Sequence, residues 1–116
     1  MAKTFGNALR ENRRAVGISQ RELAKKAGLD FSYISKLEND RLPPPAADTV
    51  VLIAKILNVP AEELLALTGK IPSNIQETIS TSANAQSFLR EVQEMGLTDD
   101  EWKKMYKSLK YLRAKK

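Results

Sequence analysis

An all-α fold is predicted for this chain of 116 residues, on three observations. Apolar side chains recur with a period near 3.6 in every long segment, and none alternates as a half-buried strand would. Helix-opening pairs stand where those periodic segments begin, Ser19 with Glu22 and Thr98 with Glu101, each a hydroxyl followed three residues later by a glutamate. Glycines or prolines stand where the segments end, at Gly17, Gly28, Gly69, Gly96 and Ile71-Pro72. The length suits one compact domain with a modest appendage and is too short for two cores of ordinary size.

The first helix is expected from Thr4 to Val16, with Phe5, Ala8, Leu9 and Val16 as its apolar stripe. Gly17 closes it in the left-handed conformation, followed by the hydrophobic contact of Ile18. The Ser19–Glu22 box opens a second helix, Gln20 to Ala27, which Gly28 closes. Only Gly28-Leu29-Asp30 separates this from a third short helix, Phe31 to Glu38 or Asn39. Two short helices joined so tightly cross steeply and share apolar side chains at the corner, as in a helix-turn-helix. Three consecutive prolines, Pro43 to Pro45, make the next connector rigid. A fourth helix follows from about Ala47 to Leu57, with Leu52, Ile53, Ile56 and Leu57 expected inside. A fifth runs from Ala61 through Leu65 to Gly69, capped near Asn58 to Pro60. Beyond Pro72, helices are expected over Ser73–Ser80, over Ala83–Met95 and from Thr98 to about Arg113. The organisation expected is thus a five-helix domain over residues 1–70 and about three C-terminal helices over residues 71–116.

Composition excludes several kinds of chemistry. There is no cysteine and no histidine, which removes disulfides, thiolate nucleophiles, histidine-based triads and zinc sites built on sulfur or imidazole. Glu62 and Glu63, like Asp99, Asp100 and Glu101, sit in the first turn of a helix, where the dipole favours acids. No calcium-loop pattern is present. No catalytic residue, metal site or cofactor is expected, and the chain is not expected to be an enzyme. No apolar run reaches the roughly 20 residues of a membrane helix, and the N-terminus lacks the apolar stretch of a signal peptide, so a cytoplasmic protein is expected. The net charge is +5, spread as +4 over residues 1–45, −1 over 46–70 and +2 over 71–116. An anionic partner for the front of the chain is the natural expectation.

The blocks Ile18-Ser19-Gln20-Arg21-Glu22-Leu23-Ala24-Lys25-Lys26-Ala27-Gly28 and Ser32-Tyr33-Ile34-Ser35-Lys36-Leu37-Glu38-Asn39 resemble the phage repressor and Cro type of helix-turn-helix regulator, the XRE family. The resemblance covers roughly residues 5–69 and extends to the downstream Leu57-Asn58-Val59-Pro60-Ala61-Glu62-Glu63-Leu64-Leu65. The blocks also make physical sense alone. Leu23, Ala24 and Ala27 form a thin apolar face that lets the third helix approach, and Ile34 and Leu37 point inward. Phe31, Ser32, Ser35 and Lys36 are left outside with Tyr33 at the margin, on a helix slim enough for a major groove about 12 Å wide.

The resemblance implies a regulator of transcription that binds double-stranded DNA, with recognition helix 31–39. Carried over by position, Ser32 and Lys36 are the expected base readers, Lys36 on guanine, and Phe31 is suited to a thymine methyl. Gln20, Arg21, Asn39 and Arg41 are expected at phosphates, with Arg10 and Arg14 as lesser candidates. Arg13 matches the family's internal arginine, which pairs with the glutamate at the place of Glu38. The family usually has glycine where this chain has Asp40, a residue that tolerates the left-handed region better than most.

In the C-terminal segment, Trp102, Met105, Tyr106, Leu109 and Leu112 form one stripe, and Ile75, Ile79, Phe88, Leu89 and Val92 form others. Self-association is expected through these, because a symmetric dimer reads two half-sites and gains by effective concentration. The segment is also similar to the three-helix tail of certain stress and damage-response repressors, which a regulatory metallopeptidase cuts. The bases Lys103, Lys104, Lys107, Lys110, Arg113, Lys115 and Lys116 are expected to be a solvated face. The function expected is therefore a homodimeric repressor on a palindromic operator. The alternative is an antitoxin-type module that holds a partner toxin with its C-terminal helices.

Overall fold

The computed structural model describes residues 3–115. Among them the regular elements are all helices: α1 Phe5–Ala15, α2 Gln20–Ala27, α3 Phe31–Glu38, α4 Ala47–Leu57, α5 Ala61–Leu65, α6 Ser73–Ser80, α7 Ala83–Met95 and α8 Asp99–Ala114. Local chemistry sets most of these boundaries. The Thr4 hydroxyl accepts from the Asn7 amide to open α1, and Ser19 with Glu22 and Thr98 with Glu101 form reciprocal capping boxes on α2 and α8. Gly28 and Gly96 end α2 and α7 at φ 68° and 64°. Asn58 and Asp40 adopt φ 57° and 56°, the conformation that short polar side chains tolerate.

The chain divides into two compact units, one ending at Gln76 and the other beginning at Glu77, so the division falls inside α6. In the first unit α3 packs on α1 and α2, while α4 packs on α2 and α5. Leu9, Leu23, Ile34, Leu37, Val50, Ile53, Leu57 and Leu64 are essentially sealed from water in one cluster. Each such side chain contributes about 1.5–3 kcal/mol by burial. Two expectations about the stripes change. Leu52 is 41% exposed and Ile56 only half-buried; Ala47, Val50, Ile53, Ala54 and Leu57 form the inward face of α4. Asp48 and Lys55, seven residues apart, lie on the same exposed face as Leu52, so the charges of α4 turn Leu52 outward while the opposite face packs on α2 and α5. Val16 is likewise 43% exposed, because α1 ends at Ala15 and the stripe ends with it.

Prolines 43–45 carry the chain from α3 to α4 without helix. Lys70 fastens this connector by donating from Nζ to the carbonyls of Pro44 and Pro45 at 2.9 and 3.0 Å. Ser73 donates its backbone amide and its hydroxyl to the two carboxylate oxygens of Asp48 at 3.1 and 2.8 Å. The second unit has little interior. Val92 of α7 is buried, whereas Phe88, Met95, Trp102, Met105, Tyr106, Leu109 and Leu112 are all exposed. Phe88 of α7 with Trp102, Met105, Tyr106 and Leu109 of α8 lines an open apolar groove of about 550 Å³.

One glycine is required by packing and not by conformation. Gly6 lies inside α1, buried where that helix crosses the end of α3. A Cβ there would meet the Leu37 carbonyl oxygen and stand 2.5 Å from Asp40 Oδ1. Helix propensity alone predicts that Gly6→Ala stabilises α1 by about 1 kcal/mol. The clash with backbone is expected to reverse the sign, giving a net loss of about 1–3 kcal/mol. Urea unfolding of the two proteins decides between them, and a raised midpoint in the variant would refute the close approach.

Candidate nucleic-acid interface

The surface of α3 is held in place by one buried acid. Glu38 is 1% exposed, and it accepts from Arg13 twice, from Nε to Oε2 at 2.6 Å and from Nη2 to Oε1 at 3.0 Å. Gln20 donates from Nε2 to the same Oε1 at 2.9 Å. Arg13 also donates from Nη1 to the Ile18 carbonyl at 2.9 Å. Arg10 closes the arrangement from outside, donating from Nη2 to the Glu38 carbonyl at 3.0 Å and to Asn39 Oδ1 at 2.9 Å. Asn39 in turn donates from Nδ2 to the Ser35 carbonyl at 2.8 Å. A single carboxylate therefore joins α1, α2 and α3, and among the described residues no buried side-chain nitrogen or oxygen is left unpaired.

The charges in this network shift each other. Burial by itself pushes the Glu38 carboxyl up, but the hydrogen bonds from Arg13 and Gln20 and the charges of Arg13 and Arg10 outweigh it and hold the group below the usual carboxylate range. The hydrogen bond to Glu38 raises Arg13 against the opposing effect of burial. Asp48, which is fully exposed, is lowered by the hydrogen bonds from Ser73.

Asp40 occupies the left-handed position directly after α3 and Asn39. Its Oδ2 accepts from the Thr4 hydroxyl at 2.9 Å, so its charge is spent on the cap of α1. Nothing in the sequence pattern around either residue announces this link, which joins positions 36 apart.

The residues named from the sequence are distributed unevenly. Arg21, Phe31, Ser32, Lys36, Asn39 and Arg41 are exposed, while Gln20, Tyr33 and Ser35 are half-buried. Tyr33 packs against the core cluster. The Gln20 amide is engaged in the Glu38 network, and the amide of the exposed Asn39 donates to the Ser35 carbonyl. The Arg21 guanidinium lies over the Phe31 ring, 4.3 Å from its centre. In the C-terminal segment Ile75, Phe88, Trp102, Met105, Tyr106, Leu109 and Leu112 are exposed, Ile79 and Leu89 half-buried and Val92 buried. The bases from Lys103 to Lys115 are exposed, and Lys116 lies outside the described residues. No group of three or more acids among the described residues is placed to hold a metal ion. No described helix is long and apolar enough to cross a membrane.

The helix-turn-helix family model matches residues 9–64, from within α1 to within α5, a stretch that includes the Glu38 network. The chain belongs to the XRE-type helix-turn-helix family. It is 37% identical over 83 residues to the HTH-type transcriptional regulator RghRB of Bacillus subtilis, covering 72% of this chain and 60% of that one. It is 30% identical over 94 residues to the HTH-type transcriptional regulator MT0491 of Mycobacterium tuberculosis, covering 81% of this chain and 66% of that one. The chain thus spans less than two thirds of the length of these curated relatives. A chain of the solved SinR protein/SinI protein complex shares the fold at a TM-score of 0.52 and 22% identity, over 96% of this chain and 99% of that one.

Removing one partner of a buried ion pair leaves the other charge without compensation, at about 3–5 kcal/mol. Glu38→Ala is expected to lose that much stability at neutral pH. Because the folded carboxyl titrates below its ordinary value of 4.5, the stabilisation it supplies is complete above that pH and fades as pH falls through the lower, folded value. The gap in unfolding free energy between the wild-type protein and Glu38→Gln should therefore narrow on acidification. Denaturant titrations between pH 3 and pH 7 measure it, and a gap that widens toward low pH would contradict the network.

Proposed function

We propose that the chain is a sequence-specific regulator of transcription that binds double-stranded DNA as a homodimer and represses by occupying a two-fold symmetric operator. The observation that carries the reading is the division of α3 into two faces. Ile34, Leu37 and Glu38 are sealed inside, while Phe31, Ser32 and Lys36 stand outside on a helix that follows α2 after a three-residue turn. A short helix so held, with its outer residues free, suits entry into the major groove, where its N-terminal side chains meet base edges. Ser32 and Lys36 read bases in this proposal, Lys36 at guanine O6 and N7, and Arg41 meets a phosphate. The excess of base over residues 1–45 supplies the nonspecific, salt-dependent part of the affinity.

Dimerisation is assigned to the second unit. The exposed groove between α7 and α8 is lined by Phe88, Trp102, Met105, Tyr106 and Leu109, and an apolar surface of that kind marks an association site. Pairing two recognition helices matches two half-sites about one helical turn apart. The relatives' names as transcriptional regulators support the assignment of class.

Selection from a randomised duplex library at two salt concentrations should return a two-fold consensus with half-sites about 10 bp apart. Ser32→Ala and Lys36→Ala should each relax one position of the half-site by about 1–3 kcal/mol. Retention that depends on salt but yields no consensus would defeat the proposal. Leu109→Asp should shift the protein toward monomer in sedimentation equilibrium and weaken operator binding while leaving helix content intact; an unchanged dimer would remove the second unit from the interface.

A further inference from the structure

Two arginines near α3 are committed to the Glu38 network and a third is not. Arg10 and Arg13 both serve Glu38 and its backbone. Arg21, the second residue of α2, meets no acid at ion-pair distance among the described residues. Its guanidinium instead rests over the ring of Phe31, the first residue of α3. A cation over an aromatic face is attracted by the ring quadrupole, and a guanidinium so held keeps its donor edge free while its orientation is restricted. Phe31 is itself 39% exposed at the end of α3 that leads into a groove.

A phenyl ring has no favourable contact with a phosphate. The apolar feature that the major groove presents is the C5-methyl of thymine, and the feature that fits a guanidinium fork is the O6/N7 edge of guanine. Because Arg21 rides on Phe31, the arginine is carried where the ring goes, away from the backbone and toward the bases. We propose that Arg21 and Phe31 act as one composite specificity element, Arg21 donating to guanine O6 and N7 while Phe31 packs on the methyl of an adjacent thymine. The half-site then contains a thymine beside a guanine, and Arg21 is a base reader instead of the phosphate contact that its position in the sequence suggests. The inference rests on the DNA-binding reading above and adds the partner bases.

The test uses the full chain and the duplex selected from the randomised library, carrying analogues at single positions. Replacing the guanine by 7-deazaguanine removes N7, and replacing the thymine by deoxyuridine removes only the methyl. Each is expected to weaken wild-type binding measurably at one defined position, and Arg21→Ala should lose preference for the guanine by roughly tenfold or more. Phe31→Ala should abolish the deoxyuridine effect and reduce that of 7-deazaguanine, because the arginine loses its support. Both side chains are exposed, so thermal unfolding of the variants should match the wild type. If a consensus exists but neither analogue matters, and Arg21→Ala weakens binding to every sequence alike, Arg21 contacts phosphate and this proposal is overturned while the DNA-binding reading stands. If no consensus emerges, both are overturned.

Discussion

The Glu38 carboxylate has no access to water, and the first unit is organised around keeping it charged. Taking a carboxylate out of water is expensive, and only dense hydrogen bonding with an opposite charge offsets the cost. Arg13 supplies the charge from α1, Gln20 a further donor from α2, and the carboxylate itself sits at the last turn of α3. The position of α3 is thus decided twice, by the sealing of Ile34 and Leu37 and by the directional demands of this acid. Apolar packing alone tolerates small sliding movements. Bidentate geometry between a guanidinium and a carboxylate does not.

That arrangement accounts for which polar side chains remain on the outer surface. Donors near α3 are already engaged with other groups of the protein: Arg10 with the Glu38 carbonyl and Asn39, Asn39 with Ser35, Gln20 with the carboxylate. Thr4 is drawn to Asp40 in the same way. What is left at the front of α2 and α3 is a sparse set in which Arg21, Phe31, Ser32 and Lys36 are exposed. A reading surface benefits from few groups held firmly, since each fixed side chain loses less freedom on binding.

Sequence patterns reveal features that depend on neighbours close along the chain. The Ser19–Glu22 and Thr98–Glu101 boxes and the terminal glycines at 28 and 96 set helix limits within a turn or two, and α2, α4, α6 and α7 begin and end where periodicity and capping put them. Features that depend on distant neighbours are poorly revealed. The orientation of α4, by contrast, was marked by Asp48 and Lys55 on its outer face, and only the apolar run between them, Val50 to Ala54, obscured it. The close approach of Gly6 to Leu37, the Thr4–Asp40 bond and the stacking of Arg21 on Phe31 each join different elements, and no spacing rule encodes them. Gly6, the second residue of α1, was the one available hint, since propensity gives no reason for a glycine inside a helix.

The terminal helix α8 is electrically polarised. Its first turn holds Asp99, Asp100 and Glu101, and its remaining length carries Lys103, Lys104, Lys107, Lys110 and Arg113 without an acid. This gradient runs opposite to the backbone dipole and compensates it at the ends, where acids meet the positive terminus and bases the negative one. At about 1.5 Å per residue, the 16 residues of α8 separate the opposite ends by more than the Debye length of roughly 8–10 Å in ordinary buffers. Two copies laid side by side in the same direction would set acid against acid and base against base. Laid head to tail, each acidic turn faces the basic end of its neighbour. The charge sequence of α8 thus selects an antiparallel direction for any pairing along its apolar face, independently of how well the side chains interlock.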